Sequence, residues 1–212
     1  MLKADLHIHT KYSMDCNSNL EDIISRCLKV GINCIAIADH GNIEGALQLQ
    51  NMAPFKVIIA EEILTPKGEI MGMFLKESIP SGLSLDEAIR RIKAQNGLIN
   101  VPHPFDNFRG SGLGNHIEEI SDRVNVVEVF NARSPFPWGQ SRARAFADKY
   151  NLPASAGSDA HTINEIGKTF IEMPTFDDSN GFLESLAKGE IHGHRTNPLC
   201  HFRSLWARLN KQ

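Results

Sequence analysis

The chain has 212 residues, 42% apolar and 22% charged, which suits one globular domain with a sizeable core and excludes a disordered or low-complexity protein. Twenty-two Lys and Arg against 25 Asp and Glu leave a formal charge of -3, which argues against general polyanion affinity. No apolar run approaches the ~18 residues of a membrane span, and the four cysteines lack a C-x-x-C pair. The opening residues are no signal peptide, so a cytoplasmic protein is expected.

Leu2 to Ile8 reads as the first strand, with Leu6 and Ile8 interleaved among polar residues. A helix is predicted over Asn19 to Val30, because Leu20, Ile23, Ile24, Cys27 and Leu28 recur at i, i+3, i+4, i+7 and i+8. Asn33 to Ala38 is continuously apolar in its core, as for a strand covered on both faces. Further strands are predicted over Lys56 to Ala60, Ile70 to Leu75, Leu98 to Val101, Val126 to Phe130, Ala154 to Gly157 and Thr169 to Met173. Between them, Ser84-x-x-Glu87 is a capping box opening a helix that Gly97 closes. Residues 139–150 and 179–188 read as two more helices. This alternation indicates parallel βα units in a barrel or a doubly wound sheet. With no repeat or linker, residues 1–212 are expected to be one domain with a short basic tail at 191–212.

Polar chemistry falls at one place in each unit. His7 and His9 end the first strand, Asp39-His40 the second, Glu61-Glu62 the third, His103 the fifth, and Asp159-Ala160-His161 the seventh. In a parallel barrel these ends share one face, where active sites are assembled. Side chains repeat every two residues along a strand, so the His7 and His9 imidazoles point the same way, and Asp159-x-His161 repeats the spacing. Imidazole with carboxylate and no thiolate suits zinc, manganese or iron. Taken singly, each piece has a plainer reading: Asp39 could cap the following helix, and Asp15 could serve a turn.

In order along the chain stand Asp5-Leu6-His7-Ile8-His9-Thr10, Ser13-x-Asp15, Ala38-Asp39-His40, a Glu after strand three, His103-Pro104 and Gly157-Ser158-Asp159-Ala160-His161. This succession resembles the polymerase-and-histidinol-phosphatase (PHP) family, and Pro198 to Leu209 resembles the tail of its stand-alone members. The resemblance implies a distorted seven-stranded α/β barrel of TIM-like form. It further implies two or three divalent transition-metal ions (zinc, manganese or iron) and phosphoester hydrolysis by a metal-activated water. The implied metal ligands are His7, His9, Asp15, His40, Glu62, His103, Asp159 and His161. Glu62 is preferred to Glu61 because Ala60-Glu61-Glu62-Ile63 resembles the family's Gly-x-Glu-Ile. Glu69 stands near a histidine of some relatives and is read as an exposed acid, while Glu128 and Asn131 stand where others offer a ligand.

Asp39 is expected to orient His40, and Arg133 to clamp the phosphoryl group, a surface arginine being the plain alternative. Arg109 is a lesser clamp candidate, in an Arg109-Gly110-Ser111-Gly112 loop read as a flexible rim. His116, His192, His194 and His201 read as structural or surface residues. The expected substrate is a phosphorylated small molecule, a nucleotide or a nucleic-acid end. A metal-dependent C–N hydrolase and a metal-binding regulatory domain without turnover are the alternatives.

Overall fold

The computed structural model describes residues 1–106 and 110–197 together with Ser204, Ala207 and Leu209. Arg109, His201 and most of the basic tail lie outside the described residues, and with them the tail resemblance.

Strand and helix alternate at first, as β1 (Leu2–Ile8), α1 (Leu20–Val30), β2 (Cys34–His40), α2 (Glu44–Met52) and β3 (Lys56–Thr65). There follow β4 (Gly68–Met73), α3 (Leu85–Ala94), β5 (Leu98–Val101), β6 (Val126–Asn131), α4 (Pro137–Tyr150) and β7 (Ala154–Gly157). After them come β8 (Thr169–Met173), α5 (Ser179–Leu186) and β9 (Glu190–Gly193). α1 buries Leu20, Ile23 and Cys27, as its apolar spacing requires, and ends on Gly31, left-handed at φ 76°. Only half of the expected capping box forms at α3. Ser84 Oγ accepts from Glu87 N at 3.3 Å, but the Glu87 carboxylate turns to Arg90 and Arg91. The left-handed residue at its end is Asn96, not Gly97. α2 was not expected, because only Gly45, Ala46 and Leu49 of it are buried and no side chain caps its start.

The nine described strands form one sheet in the order β7-β6-β5-β4-β3-β2-β1-β8-β9. Ile8 bridges Ala160 just beyond β7, and His9 N donates to Ala160 O at 3.0 Å, which brings β7 back to β1. Seven strands therefore make a nearly closed, distorted α/β barrel, while β8 and β9 extend it from the first half of β1. Uniform parallel pairing is corrected at β4, which is antiparallel to both β3 and β5. β3 runs on to Thr65 and pairs with Gly68, and so short a link permits only a hairpin.

Alternate strand residues fill the barrel: Leu2, Ala4 and Leu6 meet Ala36, Ala38, Ile58 and Ala60 from the neighbouring strands. Phe176 and Phe182 join this cluster, and separate apolar clusters lie under the helices. Among the described residues no helix is long and apolar enough to cross a membrane.

Candidate metal centre

Strands β2, β3 and β4 carry small or apolar residues toward the barrel interior and a donor side chain at the mouth. In β3, Ile58 and Ala60 are followed at the same period by Glu62, whose register partner on β2 is His40. Glu61 points the other way and accepts from Ile79 N at 2.8 Å, in keeping with the preference for Glu62. β4 descends from the mouth, so its beginning supplies the donor, Glu69. That residue is buried, with its carboxylate 3.9 Å from His103 Nε2, which corrects its reading as an exposed acid. β1 solves a different problem. A register shift in its pairing with β2 lies between Asp5 and Ile8, below which Leu6 fills the barrel and above which His7 and His9 turn inward.

Among the described residues, donor atoms form four overlapping groups, each with all its atoms within 4.8 Å of one another: His7, Glu62 and His103; His7, His9 and Asp159; His9, Asp15, His40 and His161; and His40, Glu62 and Glu69. All eight implied ligands converge, and Glu69 joins them. His7 Nε2 and His9 Nε2 face each other at 3.1 Å, while one Glu62 oxygen lies 3.5 Å from both and 3.6 Å from His40. His161 Nε2 reaches Asp15 at 3.1 Å. His103 and Asp159 have positive φ, 27° and 52°, strained conformations that cost about 1–3 kcal/mol each and persist where the surroundings hold them.

This donor set fits divalent metals. The Nδ1 of His9 is buried without a hydrogen-bond partner, and imidazole and carboxylate lone pairs crowd one small space. The carboxylates also create a demand for positive charge. Burial would lower the His40 pKa, but its bond to Asp15 and the charge of Glu62 outweigh this and hold it at about 10. Burial opposes protonation of His7 too, yet Asp159, Glu128 and Glu62 raise it well above the ordinary value. His161 differs: burial, and then the Arg133 charge, push it down to about 3, so a neutral imidazole is favoured. Metal ions would meet the charge demand with the imidazoles neutral.

Glu128 organises the centre from behind. Its Oε1 faces His7 Nδ1 at 3.0 Å, and its Oε2 accepts from His103 N at 2.8 Å and Asn131 Nδ2 at 2.9 Å. The first contact sets the His7 tautomer with the proton on Nδ1 and the Nε2 lone pair toward the cluster. Asn131 Nδ2 also reaches Asp159 Oδ2 at 3.1 Å. The resemblance singled out Glu128 as standing at a ligand position of some relatives; here it supports His7 and His103 from behind. Glu165 escaped notice, although Thr162-x-x-Glu165 is a capping box, and its carboxylate accepts from His161 N.

Arg133 is buried, not a surface residue. Its Nε lies 3.5 Å from Glu165 Oε1, its Nη2 donates to Ser204 Oγ at 2.6 Å, and it shares a pocket wall with Asp15, His40, Glu62 and Asp159. Asp39 departs from expectation. Thr10 N and Thr10 Oγ1 donate to its two oxygens, both at 2.6 Å, so it anchors the chain leaving His9 instead of orienting His40. The glycine-rich loop is also corrected over its described part. A Cβ on Gly112 would meet His103 O at 2.8 Å, so this segment is packed against the site. His116 is paired with Glu119, and His192 stacks on Phe170 at the sheet edge, both away from the cluster.

The chain matches the PHP domain model over residues 5–73 and the PHP-associated model over 138–191. It is 40% identical over 177 residues to the uncharacterized protein MJ0417 of Methanocaldococcus jannaschii, covering 81% of this chain and 70% of that one. A Bifidobacterium adolescentis structure whose name proposes a metal-dependent phosphoesterase superposes with a TM-score of 0.67 at 16% identity, over 88% of this chain and 96% of that one. The lesion-specific endonuclease PfuEndoQ of Pyrococcus furiosus gives 0.71 at 17% identity, over 93% and 59%. The motif order, the donor cluster and these matches agree: the chain belongs to the PHP domain family.

Proposed function

We propose that this protein hydrolyses phosphoesters with two or three divalent transition-metal ions held by His7, His9, Asp15, His40, Glu62, His103, Asp159 and His161, with Glu69 as a further ligand. The observation that carries this reading is the convergence of overlapping donor groups on one pocket whose wall also holds a buried arginine. The metal-dependent phosphoesterase name of the Bifidobacterium relative and the endonuclease activity in the Pyrococcus relative's name point the same way. Zinc, manganese and iron all suit such ligands.

Divalent ions in this pocket would supply positive charge against the phosphoryl oxygens and a water activated for attack. The protein's own residues do the rest. Glu128 keeps His7 in one tautomer, and Asp39 fixes the turn that carries the chain from His9 to Asp15. Arg133 presents a guanidinium whose planar fork suits two phosphoryl oxygens, and Glu165 holds it in place. The substrate is a phosphorylated small molecule, a nucleotide or a nucleic-acid end.

Metal-analysed protein incubated with phosphomonoesters, nucleotides and oligonucleotides should release inorganic phosphate. Ammonia or free amine from amide substrates, with no phosphate from any ester, would instead identify a C–N hydrolase. A metal-loaded protein that turns over neither class would be a binding domain.

A further inference from the structure

Beside the metal cluster lies a second cavity that the proposed chemistry does not use. It measures about 240 Å³ and is lined by Pro104, Phe105, Phe136, Trp138, Gln140 and Ala143, with His103 and Glu128 at its inner end. Both walls stand at the mouth: one is residues 103–106 after β5, the other the start of α4 after β6. His103 reaches Glu62 through Nε2, so a group in this cavity adjoins the proposed reaction centre.

The rim is unusual for a protein surface. Phe136 and Trp138 are 42% and 54% exposed, and their rings stack on each other 4.2 Å apart and 12° from parallel. Folding gains little by leaving a ring as large as that of Trp138 half in water, and exposed apolar groups gathered beside a pocket mark binding sites. The lining is mainly apolar, with the Gln140 side chain anchored to Asn131 O at 2.9 Å. A cavity of about 150 Å³ holds one benzene ring. One of 240 Å³ is sized for a fused bicyclic ring.

We propose that this cavity is a subsite for the purine base of a nucleotide substrate, with the base packed against Trp138 and Phe136 and the phosphate directed to the metals. The inference rests on the phosphoesterase reading and adds the leaving group to it. Stacking on an aromatic side chain is tolerant of ring substituents but requires a planar ring. Preference should therefore follow the presence of the base and not the phosphate.

The test compares adenosine 5′-monophosphate with ribose 5-phosphate, which carries the same phosphate and sugar without the base. In metal-loaded protein the nucleotide should have the higher kcat/KM, by roughly 5- to 100-fold. Trp138→Ala and Phe136→Ala should each erase most of that ratio while leaving ribose 5-phosphate turnover and circular dichroism unchanged. A second arm needs no turnover. The chain has two tryptophans, so Trp206→Phe leaves Trp138 as the only one, and adenosine should quench its fluorescence saturably while ribose does not. Phosphate release from both substrates at equal rates, with no quenching by adenosine, would overturn the subsite and leave the phosphoesterase reading intact. Quenching without phosphate release from either would sink the phosphoesterase reading and retain a purine-binding cavity.

Discussion

Glu128 touches three parts of the centre through one carboxylate: the His7 ring, the His103 backbone and the Asn131 amide. Glu128→Ala should weaken metal binding by about 10- to 100-fold, the effect usual for such outer partners. Glu128→Gln should also fail, because an amide cannot present acceptor oxygens to His7 and His103 at once. Chelator competition titrations would measure both, and unchanged affinities would remove Glu128 from the account. Arg133 is tested differently. If it clamps the phosphoryl group, Arg133→Ala should retain metal yet lose about 2–4 kcal/mol of transition-state stabilisation, roughly 30- to 1,000-fold in kcat. Arg133→Lys should restore only part of this, since an ammonium lacks the planar fork. Parent rates in both variants would leave the arginine with a packing role against Glu165. Gly157 answers to sterics alone. A Cβ there would lie 2.3 Å from His7 Cβ, so Gly157→Ala should give no folded, metal-binding protein. At Gly31 nothing lies within 4 Å, and Gly31→Ala should lose only about 1 kcal/mol from its positive φ. Urea unfolding of the two variants separates a blocked contact from a local backbone penalty.

At the scale of elements, the β3–β4 hairpin decides how the mouth is furnished. Reversal of β4 presents Glu69 beside Glu62, and the Glu69 amide donates to Ser111 O at 2.8 Å, tying the hairpin to the loop after His103. Gly68 permits this contact: φ is 127°, and a Cβ would lie 2.9 Å from the backbone of Gly112 and Leu113. Gly68→Ala should therefore both destabilise the fold by about 1–3 kcal/mol and weaken metal binding. A stability loss in urea with metal affinity untouched would show that the hairpin and the centre are not coupled. The register shift in β1 has a similar part, since it lets one strand fill the barrel below and direct two imidazoles into the cluster above.

For the whole molecule, closure of β7 onto β1 brings His7, His9, Asp159 and His161 together, so the centre and the barrel seam are the same place. Metal should then stabilise the fold as well as support turnover. At free metal 1,000-fold above Kd the linkage is about 4 kcal/mol, which for a protein of this size corresponds to roughly 8–16 °C in Tm. Chelator should lower Tm by an amount of that order, and manganese or zinc should restore it. An unchanged Tm would mean that the cluster does not bind metal tightly.

The alternation of apolar runs with amphipathic helical spacing was enough to define an α/β fold, barrel or doubly wound sheet; the family resemblance chose the barrel, and donors at successive strand ends marked its mouth. The alternation and the donor positions are local consequences of side-chain period, which a single strand or helix imposes on its own sequence. Glu62 could be separated from Glu61 only by resemblance, and the structure shows the physical counterpart in their opposite faces. What the sequence could not settle depended on partners distant along the chain. Whether β4 ran parallel was decided by a two-residue link and by pairing on both edges, and this turned Glu69 from an apparent surface acid into a neighbour of His103. Asp39 is adjacent to His40 in sequence, yet its carboxylate is taken by Thr10, in the segment that follows the neighbouring strand β1. Burial of Arg133 likewise required Glu165 and Ser204 to arrive from later segments. Side-chain period determined which residues could face the barrel; only closure of the sheet decided which of them meet, because those contacts join residues as far apart as Asp15 and His161.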